Sequence, residues 1–201
     1  MSRRAYDAEQ TRANIIMTAR ELFANKGYTA TSIDDICSAT GYSKGSLYYH
    51  FKSKEDLFIQ LAEGAFQHSW ETWDARSATY ETSIDKLYAY ADYFADTLEK
   101  PLNKAGEDFM AKVGMESEVG QKFLVIIMEY VARFETLVAE GVAREEFKHE
   151  NPKELAFILM SYYSGLSDSH RLMDKAAMKQ LYRNATRLIL EGIINPNHEV
   201  K

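Results

Sequence analysis

Apolar side chains recur at helical spacing from one end of this chain to the other, and that spacing points to an all-α fold. No segment sustains the alternation of a strand, and the three prolines, Pro101, Pro152 and Pro196, fall at breaks between periodic stretches. A first helix runs from about residue 7 to 25, with Ile15, Ile16, Ala19, Leu22 and Phe23 in register. Gly27 follows its end, where a helix commonly turns left-handed. A fourth helix starts at Ser53-x-x-Asp56 and continues past Trp73; a fifth starts at Thr82-x-x-Asp85 and reaches about 98. Pro101 opens a sixth that ends near Gly114. The seventh, about 117–146, is apolar around most of its circumference, which makes it a central helix. Asn151-Pro152-Lys153-Glu154 opens the eighth, with proline at the first helical position. The ninth spans about 175–194. The expected total is about nine helices.

The second and third helices lie in the stretch from Thr31 to Phe51. Ser32-x-x-Asp35 is a capping box, Gly41 suits a left-handed turn, and a second short helix begins near Ser43. That helix carries Lys44, Ser46, Tyr48, Tyr49 and His50, all able to donate hydrogen bonds, and no carboxylate. Two short helices around a glycine turn, the second rich in donors, form the pattern of a helix-turn-helix, which sets its second helix in the DNA major groove. Lys44 and Lys54 are the leading candidates for phosphate contacts. Tyr48, Tyr49, His50, Ser43 and Ser46 can donate to phosphates or base edges. Successive helical residues point about 100° apart, so only one of Tyr48 and Tyr49 is expected to face DNA, and the pattern does not say which.

Charge supports this reading once it is located. The net charge is −6, yet residues 1–54 hold eight Lys/Arg against five Asp/Glu, while the remainder holds 16 against 25. A basic module on an acidic body suits a protein that docks one end on phosphates. With a single cysteine, Cys37, no intrachain disulfide is possible; a reducing cytoplasm fits. Cys37 is read as a small packing residue of the second helix. The five histidines, His50, His68, His149, His170 and His198, show no metal-ligand spacing, and no Walker-type loop or G-x-S-x-G elbow occurs. No metal, cofactor or enzymatic activity is expected.

The run Ser43-Lys44-Gly45-Ser46-Leu47-Tyr48-Tyr49-His50-Phe51-Lys52-Ser53-Lys54-Glu55-Asp56-Leu57 resembles the signature of TetR-family transcriptional regulators. Ala19-Arg20-Glu21-Leu22-Phe23 and Lys26-Gly27-Tyr28-Thr29-Ala30-Thr31 are similar to the end of that family's first helix and its following turn. The resemblance implies a three-helix DNA-binding domain over residues 1–53 and a helical ligand-binding and dimerisation domain over 54–201. It places DNA contacts on Ser32, Ile33, Ser43, Lys44, Gly45, Ser46, Tyr48, Tyr49, His50 and Lys54. The implied protein is a cytoplasmic homodimeric repressor that binds a palindromic duplex operator and releases it on binding a small molecule. A helical ligand carrier or enzyme with a vestigial helix-turn-helix is the alternative.

The second domain is rich in aromatic residues, and acidic residues interrupt its apolar helices at Glu63, Asp92, Asp96 and Glu129. An aromatic cavity with a buried carboxylate would take a lipophilic, aromatic cation. The expected ligand contacts are Trp70, Trp73, Tyr93, Phe109, Glu129, Tyr130 and Tyr163. The Ser69-Trp70 region and Pro101-Leu102 also resemble the multidrug-sensing QacR-like branch, although the acidic positions do not line up with it. The eighth helix has more apolar faces than its own core needs, and Gly165 in its middle implies close backbone approach. Leu159, Tyr162 and Leu166, with Leu181 and Leu188 of the ninth helix, are therefore the expected dimer interface, a four-helix bundle built with the two-fold mate.

Overall fold

The protein is described here by a computed structural model, covering residues 3–97, 102–148, 151–167, 169 and 172–191. Among the described residues the chain forms nine α-helices and no strand. They are α1 (Arg3–Lys26), α2 (Ile33–Thr40), α3 (Lys44–His50), α4 (Lys54–Ser77), α5 (Ser83–Thr97), α6 (Asn103–Val113), α7 (Glu118–Ala143), α8 (Pro152–Ser167) and α9 (Lys175–Glu191). No helix among these residues is long and apolar enough to cross a membrane. Pro101, Pro196 and the expected end of the ninth helix beyond 191 lie outside the described residues, as do His149, His170 and His198.

The helix ends follow the capping chemistry. Ser32 accepts the Asp35 amide while the Asp35 carboxylate accepts the Ser32 amide, closing the expected box. Thr82 caps α5 through the Asp85 amide at 3.0 Å, and Asn151 caps α8 through the Glu154 amide at 3.2 Å. One boundary differs. The seventh helix stops at Ala143, not near 146, because Glu145 is left-handed at φ 59° and Phe147 folds back onto Gly141. A Cβ at Gly141 would lie 2.2 Å from the Phe147 ring, so only glycine admits that return. Glu146, released from the helix, accepts the Ser83 and Ile84 amides at the start of α5.

The chain divides into two compact units: Met1–Ser69 with Lys100–Ile127, and Trp70–Glu99 with Met128–Lys201. In the first, Ile15, Ala19 and Phe23 of α1 pack with Ile36, Leu47, Phe51 and Leu57. Phe58 stacks on Phe109 of α6 with centroids 4.6 Å apart, and Phe123 of α7 meets Phe109 edge-on at 5.2 Å. The helix-turn-helix thus shares its core with α6 and the first turns of α7, and packing does not part the chain at 53/54. Burial sets this division: a three-helix segment of about 50 residues buries too little apolar surface alone, and α6 supplies Ala105 and Phe109, both essentially fully buried. Asp108 of α6 also binds the turn before α2, accepting the Thr29 amide at 2.6 Å and the Thr29 hydroxyl at 2.7 Å.

The second unit is built from α5, α8, α9 and the adjoining parts of α4 and α7. Its core holds Trp70, Trp73, Leu87, Tyr90, Phe134, Leu159, Tyr163 and Tyr182. Asp92 of α5 and Arg183 of α9 form a two-pronged pair at 2.6 and 2.7 Å, and Lys179 meets Asp96 at 3.3 Å. Tyr182 donates to the Tyr163 carbonyl at 2.8 Å, fixing α9 on α8.

Candidate functional site

The helix-turn-helix is set from below by burial and from its ends by caps. Ile36 and Leu47 are fully buried, and Gly41 takes the left-handed turn at φ 75° with its amide on the Cys37 carbonyl. Ser43 caps α3 by accepting the Ser46 amide at 3.1 Å. These contacts leave Lys44, Gly45, Tyr48 and Tyr49 exposed, with Ser46 and His50 half-buried. Tyr48 is 50% exposed and Tyr49 79%, so both rings reach solvent, and exposure does not single out the one expected to face DNA. A seven-residue helix whose inner side rests chiefly on Leu47 leaves room for both.

The two lysines differ. Lys44 is exposed and pairs with Asp34 at 2.7 Å. Lys54 points into the fold: its ammonium donates to the Tyr28 and Thr31 carbonyls, both at 2.7 Å, and sits 4.1 Å over the Tyr28 ring. Burial lowers its pKa, opposed by the nearby Glu55 and Asp108 carboxylates. Lys54 is therefore a clamp on the turn before α2 first, with one N–H left for phosphate. Ser32 is exposed at the α2 start and Ile33 half-buried beside it. The Ser32 hydroxyl and amide hold the Asp35 carboxylate, with Lys26 behind, down to a pKa of about 2.

Five of the expected ligand contacts meet in the second unit. Trp70, Trp73, Tyr93 and Tyr163 are buried there, with Tyr130 packed against them. Their hub is Tyr90, which the sequence reading left out of the site. Its ring lies within 6.1 Å of those of Trp70, Trp73, Tyr93, Phe94, Phe134 and Tyr163. The Tyr90 and Tyr130 hydroxyls bond each other. Burial raises both phenols, Tyr130 to about 12, so both are protonated at neutral pH. The i, i+3 spacing of Tyr90 and Tyr93 along one face of α5 was the signal that could have found the hub. Phe109 is not in this cluster; it is fully buried in the first unit against Phe58 and Tyr28. Glu129 is exposed, and Glu63 is exposed on the first-unit part of α4. Asp92 is the one buried carboxylate among the described residues, and Arg183 holds both its oxygens. The carboxylates expected to line a cation site are thus exposed or already paired.

The expected dimer residues are also differently placed. Leu159 is 0% exposed and belongs to its own chain's core. Tyr162, Leu166 and Leu181 are half-buried, and Leu188 is exposed. The open side of α8 carries Phe157, Ile158, Ser161, Ser164 and Gly165, all exposed. Their spacing of 1, 4, 7 and 8 follows one helical stripe. A Cβ at Gly165 would meet nothing within 4 Å, so the close approach expected there does not occur within the chain.

The chain is similar to known regulatory proteins in both its N-terminal and its C-terminal parts. Residues 15–61 match the family model for bacterial regulatory proteins of the tetR family, and residues 66–195 match that for the C-terminal region of QacR-like proteins. The HTH-type transcriptional regulator QacR of Staphylococcus aureus is 30% identical over 128 residues, covering 63% of this chain and 68% of that protein. The negative transcriptional regulator IcaR of the icaADBC biofilm operon in the same species is 27% identical over 143 residues, covering 67% and 75%. Among solved structures, a TetR regulator from Chloroflexus aurantiacus superposes with a TM-score of 0.76 at 24% identity, covering 93% of this chain and 97% of that one. A TetR-family regulator from Agrobacterium tumefaciens gives 0.76 at 20% identity, covering 94% and 100%. Likeness at that identity shows a shared fold.

Proposed function

The chain belongs to the tetR family of bacterial regulatory proteins, and on that premise we propose how its parts divide the work of a ligand-responsive transcriptional repressor. Two protomers hold a palindromic duplex operator in the cytoplasm, each laying α3 in a major groove, and a small aromatic, lipophilic molecule entering the ring cluster releases it. Residues 1–53 carry DNA binding; residues 54–201 carry ligand binding and dimerisation. The observation that carries this reading is α3 itself, where Lys44, Tyr48 and Tyr49 stand exposed beside capped, buried anchors and no carboxylate interrupts them. Contacts of Lys44 with phosphate supply salt-sensitive affinity, and the tyrosines with His50 and Ser46 reach base edges or phosphates.

The ligand acts through a continuous element. Trp70 and Trp73 lie on the same helix, α4, as Lys54 and Glu55, which bind the Tyr28 and Thr31 carbonyls and the Tyr28 hydroxyl. A molecule that displaces the tryptophans shifts the element that anchors the turn before α2. It favours release only by binding the released conformation more tightly. Ring faces attract an aromatic cation by cation–π contact, which keeps the cation expected from sequence among the candidate ligands. Dimerisation uses the open stripe of α8 with Leu188 of α9, where small residues let two backbones approach.

The DNA reading is tested by amide shift mapping of the isotope-labelled protein with a random-sequence duplex at low salt. Shifts concentrated on residues 32–50 are expected. Shifts absent there would contradict it.

A further inference from the structure

Trp70 is 5% exposed, yet its indole Nε1 is buried with no hydrogen-bond partner. Around it stand the rings of Tyr130 at 5.1 Å, Phe134 at 6.0 Å and Tyr90 at 6.1 Å. Ring faces compensate an N–H weakly. The hydroxyls nearby are turned elsewhere: Tyr90 and Tyr130 bond each other, and Tyr163 donates to the Leu87 carbonyl at 3.3 Å. A buried donor left without an acceptor is uncommon in a folded chain and unfavourable in apolar surroundings.

The charges around this cluster do not favour a cation. Asp92 is held on both oxygens by Arg183, and Glu129 is exposed. The charge recorded over the Trp70 ring is itself positive: the Arg133 guanidinium lies 5.6 Å from its centroid and pairs outward with Asp74 at 3.2 Å. The buried phenols of Tyr90 and Tyr130 stay protonated and present no phenolate.

We propose that the ring cluster takes a neutral aromatic molecule bearing a hydrogen-bond acceptor, such as a ring carbonyl, seated on the Trp70 indole N–H, in preference to an aromatic cation. This rests on reading the cluster as the inducer site and names the chemistry that site selects. The rings supply stacking area for any flat molecule, and the unpaired N–H supplies the discrimination. A molecule without an acceptor leaves the donor as unpaired as it was; one with an acceptor satisfies it where water does not compete.

Three probes test this directly: 9-fluorenone, fluorene, which is the same tricycle without the oxygen, and ethidium, a flat aromatic cation. Binding is measured by calorimetry on the full chain and on Trp70→Phe, which keeps a ring and removes the N–H. Fluorenone is expected to bind wild type at least about tenfold more tightly than fluorene, a difference of about 1.4 kcal/mol. That advantage should vanish in Trp70→Phe, whose smaller ring weakens fluorenone and fluorene alike by lost stacking, and ethidium should be the weaker ligand of wild type. Should Trp70→Phe fail to fold, the wild-type indole N–H resonance serves instead, moving downfield with fluorenone and not with fluorene. Equal binding of fluorenone and fluorene, tightest binding by ethidium, or an advantage that survives in Trp70→Phe would overturn the proposal. Binding of none of the three would overturn it together with the inducer-site reading. No readout involves DNA, so the outcome does not depend on whether the operator-binding reading holds.

Discussion

Lys44 and Lys54 lie ten residues apart in one basic stretch, and their surroundings give them different work. Lys44 faces solvent with only Asp34 to hold it, so phosphate competes for it with one exposed carboxylate. Lys44→Ala should weaken duplex binding and flatten its logarithmic salt dependence by about one unit. Asp34→Asn, which frees the ammonium, should strengthen binding; fluorescence anisotropy over a salt series checks both. Asp35 gives a pH prediction. Its folded pKa of about 2 lies below the ordinary aspartate value of about 3.9. A depressed carboxylate stabilises the fold fully above the ordinary value and ceases to do so as pH falls through the folded one. In Ser32→Ala, carboxyl NMR should therefore show Asp35 titrating nearer 3.9; an unchanged titration would contradict the box as its cause. The capping box was readable in Ser32-x-x-Asp35 because it is local. The inward turn of Lys54 was not, since its carbonyl partners at Tyr28 and Thr31 lie more than twenty residues away.

Among the elements, α8 separates what periodicity shows from what it leaves open. Its many apolar faces were plain in sequence, but a count of faces does not say which one the chain itself covers. Leu159 turned out to be core, while Phe157 and Ile158 stay exposed. Leu159→Ala should therefore cost about 2–5 kcal/mol of stability by leaving a cavity. Ile158→Glu should leave the fold near wild-type stability and convert the dimer to monomer by placing a charge in the proposed interface. Chemical denaturation and light scattering distinguish them, and a dimer that survives Ile158→Glu would remove this face from the interface. The end of α7 was hidden for a related reason: apolar periodicity runs on to Phe147, and only the fold shows that ring seated against Gly141.

For the whole molecule, the division expected from sequence at 53/54 is not the one that packing makes. The helix-turn-helix was legible because its turn, caps and donor-rich helix follow one another along the chain. Its support was not, because Phe109 and Asp108 join it from about eighty residues downstream of the first turn. A fragment of residues 1–53, deprived of Phe58, Phe109 and Phe123, should accordingly lose most of its helical circular dichroism at 25 °C; a stably helical fragment would contradict the shared core. The tryptophans of the ring cluster were found by their spacing on α4, while the carboxylates expected beside them were read as interruptions of apolar helices, a local pattern that says nothing of Arg183 reaching Asp92 across 91 positions. The central claim remains that α2 and α3 present a sequence-reading surface to DNA from each of two protomers. Selection of binding sites from random duplexes tests it most directly. The account predicts an enriched palindrome whose half-site centres lie about 34–36 Å apart, or a multiple of that. Recovery of no duplex preferred over random DNA at low salt would contradict it.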